Sequence, residues 1–190
     1  MSSFPRMSLG RAQLIAERFE NKIEPYCKKV HIAGSTRRRC SDVGDVEVCC
    51  IAKDEFSLGL CFPMGYEGLT LNGSRLKRFI YPDKGIQVEL YIVANEADWG
   101  RILAIRTGSR DYSHAQLAMT WNRRGWCGTP DGLRRKDECI RKSAWKIKPE
   151  YKLCPTLPPV FDTEEKFFAF IGVKWIEPKE RDWHFKKDNV

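Results

Sequence analysis

Seven consecutive residues, Asp45-Val46-Glu47-Val48-Cys49-Cys50-Ile51, constrain this 190-residue chain more than any other segment. The run is rich in β-branched residues and reads as a strand. Side chains two apart share a strand face, so Asp45 and Glu47 point one way while Val46 and Val48 point into a core. Two like charges held side by side repel, and they stay ionised together when a divalent cation with hard-oxygen preference, such as Mg²⁺, neutralises them. A D-x-E pair alone is more readily the solvated face of an exposed strand. What precedes it tips the reading towards chemistry. A short apolar run, Val30–Ala33, leads into Gly34-Ser35, then Arg37, Arg38 and Arg39, then Gly44. Backbone N–H groups at Gly34, Ser35 and Gly44, with guanidinium groups beside them, bind phosphate well. A cation site next to a phosphate cradle is the equipment for phosphoryl or nucleotidyl transfer. A third carboxylate, Glu89, lies in the strand-like run Gln87–Ala94 with Val88 and Leu90 on the opposite face. If the two strands are neighbours, three carboxylates converge, enough to hold two cations about 3.5–4 Å apart.

The rest of the chain reads as alternating helices and short strands. Residues 8–29 carry apolar side chains at helical spacing behind Ser8 as a cap, with Pro25 kinking or separating the last turn. Residues 53–74 read as loop with one short helix. Arg75–Tyr81 and Gln87–Ala94 form a hairpin around Pro82-Asp83-Lys84-Gly85. Asp98–Ala104 and Ser113–Arg124 are helical, the second stopped by Gly125. Trp126–Lys136 is a small hairpin about Pro130-Asp131-Gly132, and Glu164–Ile171 is a last helix capped by Asp162 or Thr163. The expected fold class is α+β, a mixed β-sheet backed by helices plus a small α+β C-terminal lobe. The expected division is 1–98 and 99–190.

Charge sharpens the functional reading. The formal net charge is +8, and residues 101–152 carry 13 basic and 5 acidic groups, so the excess sits in one stretch. Such a face fits a polyanion such as nucleic acid, or is simply solvated. No apolar run approaches the roughly twenty residues of a spanning helix, and the first ten residues lack a signal-peptide core. An intracellular, cytoplasmic protein with no membrane partner is expected. The eight cysteines include no C-x-x-C pair, which argues against zinc and for free thiols.

The pattern Gly34-Ser35-x-Arg37-Arg38 followed by Gly44-Asp45-x-Glu47 resembles the signature of the nucleotidyltransferase superfamily, and within it the family X DNA polymerases, the DNA polymerase beta group. Glu89 falls where that family has its third catalytic carboxylate. Arg106-Thr107-Gly108-Ser109 resembles its Thr-Gly-Ser turn, and Glu164–Phe168 through Trp175–Arg181 resembles its closing helix and W-x-E-P-x-x-R ending. The overall pattern is most similar to short phage-encoded members.

The resemblance implies a nucleotidyltransferase palm and a nucleotide-selecting, DNA-contacting lobe. It implies addition of dNMP from dNTP to a primer 3′-hydroxyl with release of pyrophosphate, in gap-filling repair or phage DNA synthesis. Asp45, Glu47 and Glu89 would be catalytic and would ligate two Mg²⁺ ions, with Mn²⁺ able to substitute. Gly34, Ser35, Arg38 and Gly44 would hold the triphosphate. Thr107, Gly108 and Ser109 would line the sugar and base. Arg123, Arg124, Arg134 and Arg135 would contact DNA backbone. The partners would be primer-template or gapped DNA and a dNTP, bound by a monomer. The chain departs from the family at two carboxylates, which are Glu rather than Asp. Ile105 and Arg106 stand where an aromatic pair is usual, and Gln87 where an arginine is usual. An RNA, small-molecule or protein acceptor, or a DNA-binding relative without turnover, are the alternatives.

Overall fold

The computed structural model of the chain describes residues 6–62, 68–81, 85–153 and 156–183. Met7–Ser8 (β1) leads directly into helix α1, Leu9–Ile23, whose Ala12, Ile15, Ala16, Phe19 and Ile23 are buried. The helix stops there because Pro25 has no N–H to continue the ladder, and Glu24–Tyr26 form a separate 3₁₀ turn. The sequence reading carried this helix to Lys29. Instead strand β2, Cys27–Ile32, starts two residues earlier than that end. A four-residue helix, Gly34–Arg37 (α2), and a short strand, Asp42–Val43 (β3, paired with β1), lead to β4, Asp45–Ala52.

Residues 53–74 hold the expected short helix, α3, Glu55–Gly59, capped by Asp54, and also a strand that was not expected, β5, Leu69–Asn72. Strands β6, Leu76–Ile80, and β7, Gln87–Ile92, form the expected antiparallel pair. The Pro82–Lys84 part of the turn between them lies outside the described residues.

These strands make one five-stranded mixed sheet in the order β2-β4-β7-β6-β5. Only β4 and β7 run parallel, and they are central neighbours, with Glu47 opposite Glu89 and Asp45 opposite Gln87. Period-two alternation divides the sheet. Val46, Val48, Cys50, Val88 and Leu90 face α1 and pack with Phe19, Phe62 and Phe79 in the largest apolar cluster. The other face carries Cys49, Ile51, Tyr91 and Val93, which pack under Trp99 and Leu103 of helix α4, Trp99–Thr107. The acidic side chains emerge on that second face, at the strand ends nearest the end of α4.

Beyond α4, Arg110–Tyr112 (α5), a six-residue π-helical segment (Ser113–Ala118) and Met119–Arg123 (α6) follow one another without a break. Trp126–Thr129 (β8) and Gly132–Arg135 (β9) form the expected hairpin. A second hairpin, Cys139–Arg141 (β10) with Trp145–Ile147 (β11), was not expected. Helix α7, Glu164–Ile171, starts at Thr163, whose side chain accepts from the Lys166 N–H at 3.3 Å, and ends on left-handed Gly172. Its Phe167, Phe168 and Ile171 pack with Tyr112, Leu117, Trp121, Leu133 and Phe161. The architecture is thus the mixed α+β arrangement the sequence predicts. Among the described residues no helix is long and apolar enough to cross a membrane, and the seven of the eight cysteines that fall among them are free thiols.

Candidate active site

The site is built where β2 hands over to α2. The Ala33 N–H donates to the Glu47 carbonyl at 2.8 Å, extending the β2–β4 ladder by one residue. The chain then turns at Gly34, whose φ is +61°. A Cβ there would fall 2.1 Å from Glu47 Oε2, so glycine answers both the backbone conformation and the close approach. The Ser35 hydroxyl is buried and has no hydrogen-bond partner among the described residues. Burying a hydroxyl unpaired is costly, so Ser35 is a group waiting for one.

The three carboxylates share a face but not an environment. Glu47 is half-buried, and desolvation together with the Asp45 charge pushes its carboxyl up to about 8, against the pull of Arg106. Asp45 is raised as well, by burial first and the Glu89 charge second, with Arg6, Arg38 and Arg78 opposing. Glu89 is already partnered. It accepts from Arg78 Nε at 2.7 Å, from Gln87 Nε2 at 3.0 Å and from the Tyr91 hydroxyl. Among the described residues no three His, Cys, Asp or Glu side chains are gathered as a ready metal-holding set. What does fit a hard cation is the pair Asp45 and Glu47: two half-buried carboxylates whose charge is penalised by desolvation and by each other.

Asp45 and Glu47 line a cavity of about 370 Å³ with Ser35, Arg38, Gly108 and Ser109, closed by Ile105, Arg106, Arg110 and Ser113. Six of the residues singled out in the sequence therefore meet in one space. Thr107 does not line it. Its side chain is buried and accepts from Arg37 Nη1 at 2.6 Å, while its carbonyl accepts from Arg38 Nη1 at 2.7 Å. Gly34 and Gly44 border the carboxylates rather than the space itself, Gly44 lying against the Arg6 guanidinium. Gly108 is held at the turn by crowding, because a Cβ there would fall 2.6 Å from Ser113 Oγ. Ser109 caps α5, its hydroxyl accepting from the Tyr112 N–H at 3.3 Å.

Sequence reasoning missed what ties the two halves of the site together. Glu164 accepts from both terminal nitrogens of Arg37, at 2.9 and 2.8 Å, and from Arg181 Nη1 at 2.6 Å. Burial alone would raise the Glu164 carboxyl, but these two arginines outweigh it and hold it below the usual range. The segment after Arg181 returns to the cavity. Ser109 donates its N–H to the Arg181 carbonyl at 2.9 Å and its hydroxyl to the Trp183 carbonyl at 2.6 Å. Arg38 Nε donates to Asp182 at 3.1 Å. Arg106 and Arg110 were also missed as cavity residues, although both flank Thr107-Gly108-Ser109 in the sequence and that flanking was the available signal.

The four arginines of the basic stretch are not equivalent. Arg123 is exposed. Arg135 is exposed, stands 5.4 Å over the Trp126 ring and lies 3.9 Å from Asp137. Arg124 donates to the Phe170 carbonyl at 3.1 Å. Arg134 is turned inward, 8% exposed, with Nη1 on the Thr156 carbonyl.

No family model matches the chain, and no curated protein does either. The reading as a short phage-type member therefore rests on the sequence motifs alone. Among solved structures the chain is similar to Leishmania infantum polymerase beta, solved as a ternary P/T complex. The TM-score is 0.67 at 15% identity, covering 94% of this chain and 77% of that one. At that identity the likeness is one of fold alone.

Proposed function

We propose that the chain is a metal-dependent DNA nucleotidyltransferase that adds dNMP from a dNTP to a primer 3′-hydroxyl and releases pyrophosphate. One observation carries this reading. A buried, unpartnered Ser35 hydroxyl and Arg38 share a single cavity with the carboxylates Asp45 and Glu47. The fold similarity to a polymerase beta solved as a ternary P/T complex supports DNA and dNTP as the partners.

In this reading residues 1–98 form the palm and 99–190 the lobe that meets nucleotide and DNA, in a monomer. Asp45 and Glu47 would hold Mg²⁺ or Mn²⁺, and Glu89 would join them on exchanging its Arg78 partner. When bound, such cations neutralise phosphate charge and lower the pKa of the attacking hydroxyl. The chain's own groups do the rest. Ser35 and Arg38 orient the triphosphate, and Gly108 and Ser109 border the nucleotide. The carboxylate face receives the 3′-hydroxyl proton as the oxygen attacks the α-phosphorus and the bond to pyrophosphate breaks. Positioning and electrostatic stabilisation supply most of the rate. Arg123, Arg124 and Arg135 are the exposed candidates for DNA backbone contact, Arg124 with one donor already on the Phe170 carbonyl. Gap filling in DNA repair or phage DNA synthesis is the setting in which we place it.

The test is primer extension on a gapped duplex with Mg²⁺ or Mn²⁺, beside Asp45→Ala. Templated addition lost in the variant is expected. Salt-sensitive DNA binding with no addition under either metal would instead leave a DNA-binding relative without turnover, the reading favoured by the Arg78–Glu89 pair. Addition only to RNA, small-molecule or protein acceptors would move the chain to another branch of the superfamily.

A further inference from the structure

Most buried or half-buried arginines near the site are committed. Arg37 and Arg181 bind Glu164, Arg101 binds Asp98, and Arg38 binds Asp182 and the Thr107 carbonyl. Arg106 is different. Its guanidinium carbon lies 3.8 Å from the centroid of the Tyr91 ring. Among the described residues it donates to no carboxylate or carbonyl, and it lines the cavity that holds Asp45 and Glu47. Stacking uses the face of the guanidinium and leaves its edge, with the N–H donors, free. Tyr91 is itself buried and anchored by its hydroxyl on Glu89, so the platform under Arg106 is fixed. A cation fixed by its face with unused donors at its edge is pre-organised for a bidentate oxyanion.

From this geometry we infer that Arg106 binds the phosphate of the incoming nucleotide nearest to Asp45 and Glu47, the one at which the 3′-oxygen attacks. The inference rests on the nucleotidyltransferase reading and adds a residue and a subsite to it. Ser35 and Arg38 receive the outer part of the triphosphate. Arg106 donates to a non-bridging oxygen of the reacting phosphoryl group, where charge shifts as the new P–O bond forms and the bond to pyrophosphate breaks. Removing such a donor lowers turnover more than it weakens ground-state binding.

The experiment compares wild type with Arg106→Leu and Arg106→Lys by gapped-duplex extension and, without DNA, by calorimetric titration with inorganic triphosphate. Arg106→Leu is expected to lose about 100-fold in kcat and about tenfold in triphosphate affinity. Arg106→Lys should lie between, because it keeps the charge and loses the planar fork. Melting temperature and DNA affinity should stay at wild-type values. The decisive reading uses the two diastereomers of an α-thio dNTP. In one of them sulfur replaces the oxygen Arg106 touches, and its slowing of wild type should shrink in Arg106→Leu, a non-additivity that a packing role does not produce. Thio effects and triphosphate affinity unchanged in both variants would overturn the inference while leaving the wild-type activity in place. Failure of wild type itself to bind triphosphate or extend primers would overturn the nucleotide reading with it.

Discussion

Glu47 and Gly34 are in such close approach that a single methyl group on Gly34 would overlap the Glu47 carboxylate, at 2.1 Å from Oε2. The loop that would take the phosphates and the strand that would take the cation are therefore fitted to each other. Gly34→Ala must displace that carboxylate and also place a side chain at φ +61°. It should cost about 1 to 3 kcal/mol in denaturant unfolding and abolish extension. An unfolding midpoint and an activity equal to wild type would refute the fit.

Burial and Asp45 hold the Glu47 carboxyl at about 8, above its ordinary 4.5. The folded cation-free chain therefore keeps a proton that the unfolded chain releases. This contribution to stability is fully present below 4.5 and is lost as pH rises to 8, at up to about 1.4 kcal/mol per pH unit. Chemical denaturation in EDTA should show that fall, and Glu47→Gln should flatten it. Added Mg²⁺ should stabilise wild type more at pH 8 than at pH 6. A pH-independent response to Mg²⁺ would count against Glu47 as a ligand.

Glu164 balances the half-buried Arg37 and the fully buried Arg181 guanidinium groups. Glu164→Gln leaves both without a counter-charge, and breaking a buried pair in this way costs about 3 to 5 kcal/mol. Equilibrium unfolding would measure it, and a loss under about 1 kcal/mol would show that the network is not held as described.

Asp182 competes for Arg38 at a partly exposed position. Asp182→Asn should change stability by less than about 1 kcal/mol and should tighten triphosphate binding. Isothermal titration of wild type and variant decides it, and weaker binding in Asp182→Asn would reverse the assignment.

The basic stretch separates by burial. Arg123→Ala should leave melting unchanged and lower the slope of log affinity for DNA against log salt by about 1. Arg134→Ala should lower the melting temperature, with little change in the salt slope. The opposite pattern would mean that DNA approaches from the other side of the β8–β9 hairpin.

Much of the site was legible because its signals are local. Alternation in Asp45–Ile51 and Gln87–Ala94 placed the acidic face and its opposing core face, and Thr163 announced α7. Other features depend on distant partners and left little trace. Strand β2 carries exposed Lys28 and Lys29 and is recognisable only by its pairing with β4. Strand β5 has a bulge, and three of its four residues are exposed, so its pattern is faint. Arg78 meets Glu89 because hairpin register sets them opposite, and a cross-strand pairing is not written in either strand alone. Arg134 was read as surface, yet Leu133 and Arg134 are both buried, so alternation fails on β9. In sequence Arg106 marks only the start of the Thr-Gly-Ser turn and a departure from an aromatic pair, and its meaning comes from Tyr91, fifteen residues away in sequence and directly beneath it in space.

The return of the chain from Arg181 to Trp183 onto Ser109 and Arg38, at the edge of the cavity, gives the molecule a built-in reporter. The Ser109 N–H points at the Arg181 carbonyl, so it can exchange with deuterium only when that segment lifts. One amide signal thus times every undocking of the C-terminal segment, and its protection with and without triphosphate would show whether filling the cavity locks that segment down or pushes it away.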